Sequence, residues 1–282
     1  MNARSLVNFQ FNSAMVRSLL AKVYCEGRTY RVWFGPLHGY YLRYDRNITF
    51  HTMLGLSDLI NFRVLKRLIN RLGAAPIIAD VGANIGMYSL WFSKTNRKAS
   101  VHAWEPAPWQ REILHANLTS SSAANVVVVP RACGASTGEV TFFLGEDHHC
   151  SSLDRNWATG QRANAESITV PQTTLDEYFF TELQSNGPDL IKMDIEGGGV
   201  FALPGASRCF QEKRSLLLIE SHTPSEDRAI SDVLIKFNYA AFRIAERKWV
   251  TAPGETHPNP DGVWGTMLCV PKEQVESIGK LL

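Results

Sequence analysis

Four short runs in this 282-residue chain set glycines, carboxylates and an imidazole in an order that chemistry could use. The first is Asp80-Val81-Gly82-Ala83-Asn84-Ile85-Gly86, at the junction of an apolar run and a helical one. Glycine lets a backbone turn sharply and approach a ligand with no Cβ in the way. A helix start behind such a turn offers unsatisfied N–H groups and partial positive charge. A dinucleotide fingerprint would need G-x-G-x-x-G; counted from Gly82 it fails at Asn84 and again at Met87. The second run, VHAWE, ends on Glu105, 19 residues beyond Gly86. A carboxylate about 20 positions past a glycine turn can accept hydrogen bonds from ribose hydroxyls. The third, Asp189-Leu190-Ile191-Lys192-Met193-Asp194-Ile195-Glu196-Gly197, puts Asp194 and Glu196 at the carboxyl end of a strand, where open parallel sheets bind ligands. Backbone extended through Ile195 would turn both carboxylates to one side. The fourth, Leu217-Leu218-Ile219-Glu220-Ser221-His222, would set His222 beside Asp194 if the two strands are neighbours. Imidazole is the side chain best poised for proton transfer near neutral pH.

These runs need a scaffold, and the pattern around them predicts one. Short apolar strands at Pro76–Val81, Ser100–Trp104, Asn125–Pro130, Leu190–Met193 and Leu216–Glu220 alternate with helical stretches near Met87–Thr95, Pro108–Asn117, Thr174–Gln184, Phe201–Cys209 and Glu226–Phe237. That rhythm reads as a parallel sheet covered on both faces. GEVTFFLGE and SITVPQ look like extra strands outside the rhythm, and AAFRIAERKWV with VWGTMLCVP reads as a closing antiparallel pair. Upstream, residues 29–44 read as a hairpin. A helix over Ser57–Leu72 is predicted by apolar spacing, with Ser57 as N-cap and Gly73 as its stop. The chain thus divides into an accessory segment over residues 1–73 (helix, hairpin, helix), a ligand-binding catalytic domain over 74–272 and a tail over 273–282.

Composition narrows the functions. With 45% hydrophobic and 20% charged residues the chain is an ordinary globular one, large enough to bury a core without disulfides. Its 29 basic and 27 acidic residues leave a net +2, too little for a dedicated nucleic-acid binder. Five cysteines, an odd number with no C-x-x-C pair, suit a reduced, cytoplasmic setting. No apolar run is long enough for a membrane span, and polar residues interrupt the N-terminus where a signal peptide would be apolar.

Taken together, IIADVGANIGMYS, HAWEP, VTFFLGEDHHCSSL, VPQTTLDEYF, LIKMDIEGG and LLIESH resemble the FkbM-type family of S-adenosylmethionine-dependent methyltransferases, over about residues 76–222. The resemblance implies the α/β class I (Rossmann-like) methyltransferase fold: a mostly parallel seven-stranded sheet with an antiparallel last strand and helices on both faces. It implies S-adenosyl-L-methionine as cofactor and methyl transfer to oxygen, commonly on sugars or secondary metabolites. By the same likeness Asp80, Gly82, Ala83, Asn84 and Gly86 line the methionine end of the cofactor, with Asp194. Glu105 and Pro106 take the ribose side, and Ala132 lies close by. Family members usually carry an acidic residue where this chain has Gly199.

Methyl transfer to an alcohol needs an in-line nucleophile and a group to receive its proton. Asp194, Glu196 and His222 are the candidates for that work. Ser151, Ser152 and His222 are candidates for binding the acceptor, and the polar segment Asp147–Arg162 reads as a cover over it. His148, His149 and Cys150 are adjacent on a loop and not spaced to converge on one ion, so no metal is expected. Trp104 and Trp109 flank Glu105, as core residues or as stacking partners for adenine. The leading expectation is an O-methyltransferase for a small hydroxylated acceptor (a sugar, a glycoside or another secondary metabolite). Two alternatives stand beside it: methylation of RNA or protein, and a catalytically silent S-adenosylmethionine-binding module.

Overall fold

The computed structural model describes residues 23–46, 48, 50–145, 151–159, 166–250 and 265–282. The expected N-terminal helix and the Asp147-His148-His149-Cys150 run lie outside them. The chain opens with the hairpin β1 (Thr29–Arg31) and β2 (Tyr41–Arg43), paired in antiparallel register. Helix α1 (Leu59–Leu68) follows, shorter than its apolar spacing predicts. Its N-cap is Asp58 in a left-handed conformation, not Ser57, whose hydroxyl instead meets Thr52 Oγ1 at 3.0 Å. Gly73 ends the segment at φ +94°, as a helix stop should.

Next come β3 (Ile77–Val81), α2 (Met87–Thr95), β4 (Ser100–Trp104), α3 (Pro108–Ser120) and β5 (Val126–Val129). Pro108 occupies the first turn of α3, where its missing N–H has no partner to lose. Strands β6 (Ala132–Cys133), β7 (Gly138–Phe143) and β8 (Ser167–Thr173) leave the main sheet and form their own, in the order β6-β8-β7. The chain returns through β9 (Leu190–Met193), the short helix α4 (Gly199–Ala202), β10 (Leu216–Ser221), α5 (Pro224–Phe237), β11 (Tyr239–Arg243), β12 (Lys248–Trp249) and β13 (Gly265–Pro271). The stretches expected as plain helices near residues 174–184 and 201–209 are mixed, with π-helical turns at Glu177–Glu182 and Cys209–Lys213.

The main sheet runs β12-β11-β13-β10-β9-β3-β4-β5. Strands β5, β4, β3, β9 and β10 are parallel, and β13 inserts antiparallel between β10 and β11. Among the described residues the main sheet has eight strands and not seven. Arg247 takes a left-handed turn at φ +53°, which breaks AAFRIAERKWV into β11 and the two-residue edge strand β12. Alternation along the strands sorts the core into two layers. Ile78, Val101, Leu190 and Leu218 face one side, with the hairpin, α1 and α2. Ala79, Val81, Ile191, Met193 and Ile219 face the other, with α5 and the π-helical turns. Because Phe62, Leu65, Val32 and Leu42 join the first layer, the accessory segment shares its core with the sheet. At the far end, Ile278 of the C-terminal turn of helix is buried in that layer too.

The candidate active site

Strand order reverses between β3 and β9, and a parallel sheet opens a crevice at the carboxyl ends of its strands there. The crevice is a cavity of about 840 Å³, within the range that holds a cofactor-sized ligand and a small second molecule. Its wall brings together Gly82, Ala83 and Asn84 from the first run, Glu105 and Pro106 from the second, Ala132, Ser151, and Asp194, Glu196 and Glu220 from the strand ends.

The glycine turn is shaped by what lies against it. Gly82 has φ +77°, and a Cβ there would stand 1.9 Å from the Asp194 carbonyl oxygen. Asn84 is itself left-handed, at φ +51°. Its backbone N–H donates to Glu105 Oε2 at 2.9 Å, while the Ala107 N–H donates to Oε1 at 2.9 Å. The Glu105 carboxylate is thereby fixed at the rim with lone pairs to spare for hydroxyl donors. Burial pushes its pKa up to about 7 against the pull of those two amides. Trp104 is 1% exposed and packs edge-on against Tyr178, so it is a core residue. Trp104 is also one of the residues lining the cavity, and its buried indole N–H has no partner among the described residues. The turn at Gly82, the anchored carboxylate and this orphaned donor fit a nucleoside with ribose hydroxyls and ring acceptors.

Four residues expected at the ligand surface sit behind it. Asp80 is fully buried on the face of the sheet under α2, where its Oδ2 accepts from Ser89 Oγ at 2.6 Å. Gly86, at φ +91°, starts α2 against Leu114 and is not part of the wall. Ser152 is buried, its hydroxyl donating to the Ile195 carbonyl at 3.3 Å and accepting from the Asp154 N–H at 2.9 Å. His222 lies beneath the two catalytic candidates, its Nε2 3.5 Å from Asp194 Oδ1 and 3.6 Å from Glu196 Oε2. It touches both carboxylates from behind and is not part of the cavity wall.

The carboxylates converge by a different route from the one the alternation suggested. Strand β9 stops at Met193, and Glu196 enters a turn at φ +54°. The turn, and not extended backbone, brings Glu196 back beside Asp194. Burial alone would pull the His222 imidazole down. Contact with Glu226, whose Oε2 lies 3.4 Å from Nδ1, and the charges of Asp194 and Glu196 outweigh it and raise the pKa to about 9. The donor atoms of Asp194, Glu196 and His222 lie within 4.8 Å of one another. At neutral pH the imidazolium itself supplies the positive charge they share.

Gly199 has a local reason. A Cβ there would come within 2.5 Å of Glu226 Oε1, which accepts the Gly199 N–H at 2.9 Å, while Oε2 accepts the His222 N–H at 2.8 Å. Glu226, fully buried at the start of α5, therefore serves the α4 start from across the fold.

Reading from sequence missed Lys192, Glu220 and Glu226. Lys192 and Asp80 are register partners in β9 and β3, so alternation puts both on one face, their charged atoms 3.5 Å apart. Burial pushes the Glu220 carboxyl up, helped by Asp194 and opposed by His222, to about 8. A lysine and an acid inside otherwise apolar strands were the available signals.

The raised values carry one consequence for stability. Glu105 and Glu196 rise from 4.5 to about 7, Glu220 from 4.5 to about 8, and His222 from 6.5 to about 9. A folded state that holds protons more tightly than the unfolded chain gains stability at low pH and loses it as pH passes through the folded-state values. The ligand-free protein is expected to melt at steadily lower temperature from pH 6 to pH 9. Melting curves at constant ionic strength test this, and a Tm rising over that interval would contradict it.

Strand order and cavity define a class I, Rossmann-like methyltransferase. The family model for the methyltransferase FkbM domain matches residues 80–244, more than half of the chain, and the chain belongs to that family. It is an S-adenosylmethionine-dependent methyltransferase. The curated methyltransferase sdnD of Sordaria araneosa is 25% identical over 194 residues, 60% of this chain and 74% of that protein. Solved structures are more distant. The precorrin-6y C5,15-methyltransferase of Geobacter metallireducens is 11% identical, with a TM-score of 0.43 over 76% of this chain and 87% of that one. An O-methyltransferase from Bacillus cereus in complex with SAH is 10% identical, with a TM-score of 0.41 over 75% and 81%. Likenesses this loose leave the fold class resting on the strand order itself. Among the described residues no helix is long and apolar enough to cross a membrane.

Proposed function

We propose that the protein transfers the methyl group to a hydroxyl of a small acceptor, such as a sugar, a glycoside or another secondary metabolite, in the cytoplasm. The observation that carries this reading is the pairing of Asp194 and Glu196 on the cavity wall, with the His222 imidazolium behind them. S-adenosylmethionine, when bound, supplies an electrophilic methyl on sulfur. The Gly82–Asn84 turn and Glu105 hold the methionine and ribose portions. Asp194 and Glu196 receive the hydroxyl proton as the oxygen becomes a nucleophile, and His222 keeps both carboxylates turned toward the cavity. Glu220 and Ser151, which line the same cavity, bind the acceptor. Incubation with methyl-labelled S-adenosylmethionine and a panel of glycosides tests the reading. A methyl ether on one of them supports it; label found only on nitrogen, protein or RNA overturns it.

Glu105→Ala is expected to weaken S-adenosylmethionine binding by about 1–3 kcal/mol, the usual cost of losing hydrogen bonds to a charged group. Titration calorimetry reads this directly. NAD should give no signal with the unaltered protein, and unchanged affinity in the variant would remove Glu105 from the ribose site.

A further inference from the structure

The insertion between β7 and β8 reaches the catalytic centre at three points. Ser152 Oγ donates to the Ile195 carbonyl at 3.3 Å, one residue before Glu196. The short helix Arg155–Thr159 starts on Asp154, whose Oδ1 accepts the N–H groups of Asn156 at 2.9 Å and Trp157 at 3.2 Å. That start aims the Trp157 side chain at the site. Its indole Nε1–H donates to Glu196 Oε2 at 2.8 Å, and its ring centroid lies 5.4 Å from that of His222. Residues 151–159 are thus tied to the β9 turn. The rest of the segment expected to cover the acceptor lies outside the described residues.

We infer that Trp157 is a positioning residue, whose indole N–H holds the Glu196 carboxylate toward the cavity and toward its ionised form. Glu196 needs such a partner because its backbone is in a left-handed turn that does not fix the side chain. The charged groups facing it are mostly of its own sign: Asp194 from the end of β9, Glu220 from β10, Glu226 from α5, and Asp154 near Gly197 from the insertion. Among the described residues, His222 is the positive group that lies against Glu196; Lys192 is engaged with Asp80 and Asp194. Trp157 adds a neutral donor to Glu196 Oε2, the same oxygen that His222 approaches at 3.6 Å, and bonds it at the shorter distance. Burial and Asp194 raise Glu196, while His222 and the indole lower it, to a net value of about 7. The insertion thereby acts on the proton affinity of a residue in the turn that follows β9 of the main sheet.

This role rests on Glu196 belonging to the acceptor site, yet it can be read without turnover, so the two can fail separately. In the whole chain labelled with 15N-tryptophan, the Trp157 indole resonance, identified by its loss in Trp157→Phe, should shift with pH around a midpoint near 7. The shift should vanish in Glu196→Gln, whose amide oxygen still accepts the bond but does not titrate there. In Trp157→Phe, which keeps a ring against His222, the 13C-carboxyl titration of Glu196 should move up by roughly one to two pH units. An indole signal that does not titrate in the unaltered protein overturns the inference without any variant. So does a shift that persists in Glu196→Gln, or a Glu196 midpoint unchanged in a folded Trp157→Phe protein.

Discussion

Lys192→Met is expected to cost about 3–5 kcal/mol of folding stability, the range for breaking a buried ion pair by removing one partner. The Lys192 side chain is 6% exposed and Asp80 is fully buried. The ammonium lies 3.5 Å from Asp80 Oδ1 and 3.7 Å from Asp194 Oδ2, donates to the Gly82 carbonyl at 3.1 Å and sits 4.7 Å over the Tyr88 ring. Burial by itself would drive the lysine toward its neutral form, but Asp80 and Asp194 more than offset this and raise its pKa, so the charge persists throughout the accessible pH range. Methionine fills similar volume and has no charge. It leaves the buried Asp80 carboxyl group without its cation, with the Ser89 hydroxyl as its hydrogen-bond donor among the described residues. The same change frees the Gly82 carbonyl and one side of Asp194, so cofactor affinity should fall together with stability. Urea denaturation measures the first effect and calorimetry the second. Adding Asp80→Asn to Lys192→Met should restore much of the stability, because the unpaired charge is then gone. A loss below about 1 kcal/mol in the single variant would mean that the pair is solvated in a way its burial does not suggest.

Lys192 also shows where sequence reading stops. Strand ends, the glycine turn and the spacing to Glu105 were legible because they are local: a turn needs glycine where φ is positive, and a strand's alternation fixes which side chains share a face. The parallel order followed from the same rhythm, and β3, β4 and β9 fall within a residue of their expected bounds. Contacts made across elements were not legible. Glu226 meets Gly199 from 27 positions away, Trp157 meets Glu196 from 39, and Asn61 reaches Thr266 across 205. None of these distances leaves a periodic trace. Glu196 illustrates a subtler failure. Alternation was applied two residues past the end of the strand, through Ile195, where the backbone had already turned, and the convergence was expected for the wrong reason. His222 was read by its ordinary pKa, but three carboxylates around it change the state in which it works.

That change of state separates the proposed roles. If Glu196 and Asp194 receive the acceptor proton, Glu196→Gln and Asp194→Asn should each lower turnover by about 10²–10⁴-fold, the usual contribution of general base catalysis. Cofactor affinity should survive better in Glu196→Gln, because Asp194 lies against the glycine turn and Glu196 does not. In the unaltered enzyme turnover should rise as pH passes about 7, where Glu196 gives up its proton and becomes able to accept another. It should fall again as pH passes about 9, where His222 loses the charge that holds the two carboxylates together. His222→Gln distinguishes clamp from base. A clamp lost keeps the rise but moves it above pH 7, because His222 no longer lowers Glu196, and removes the alkaline fall, with lower turnover throughout. A base lost would remove the rise instead. Turnover unchanged in both Glu196→Gln and Asp194→Asn would assign the acceleration to positioning of the hydroxyl alone.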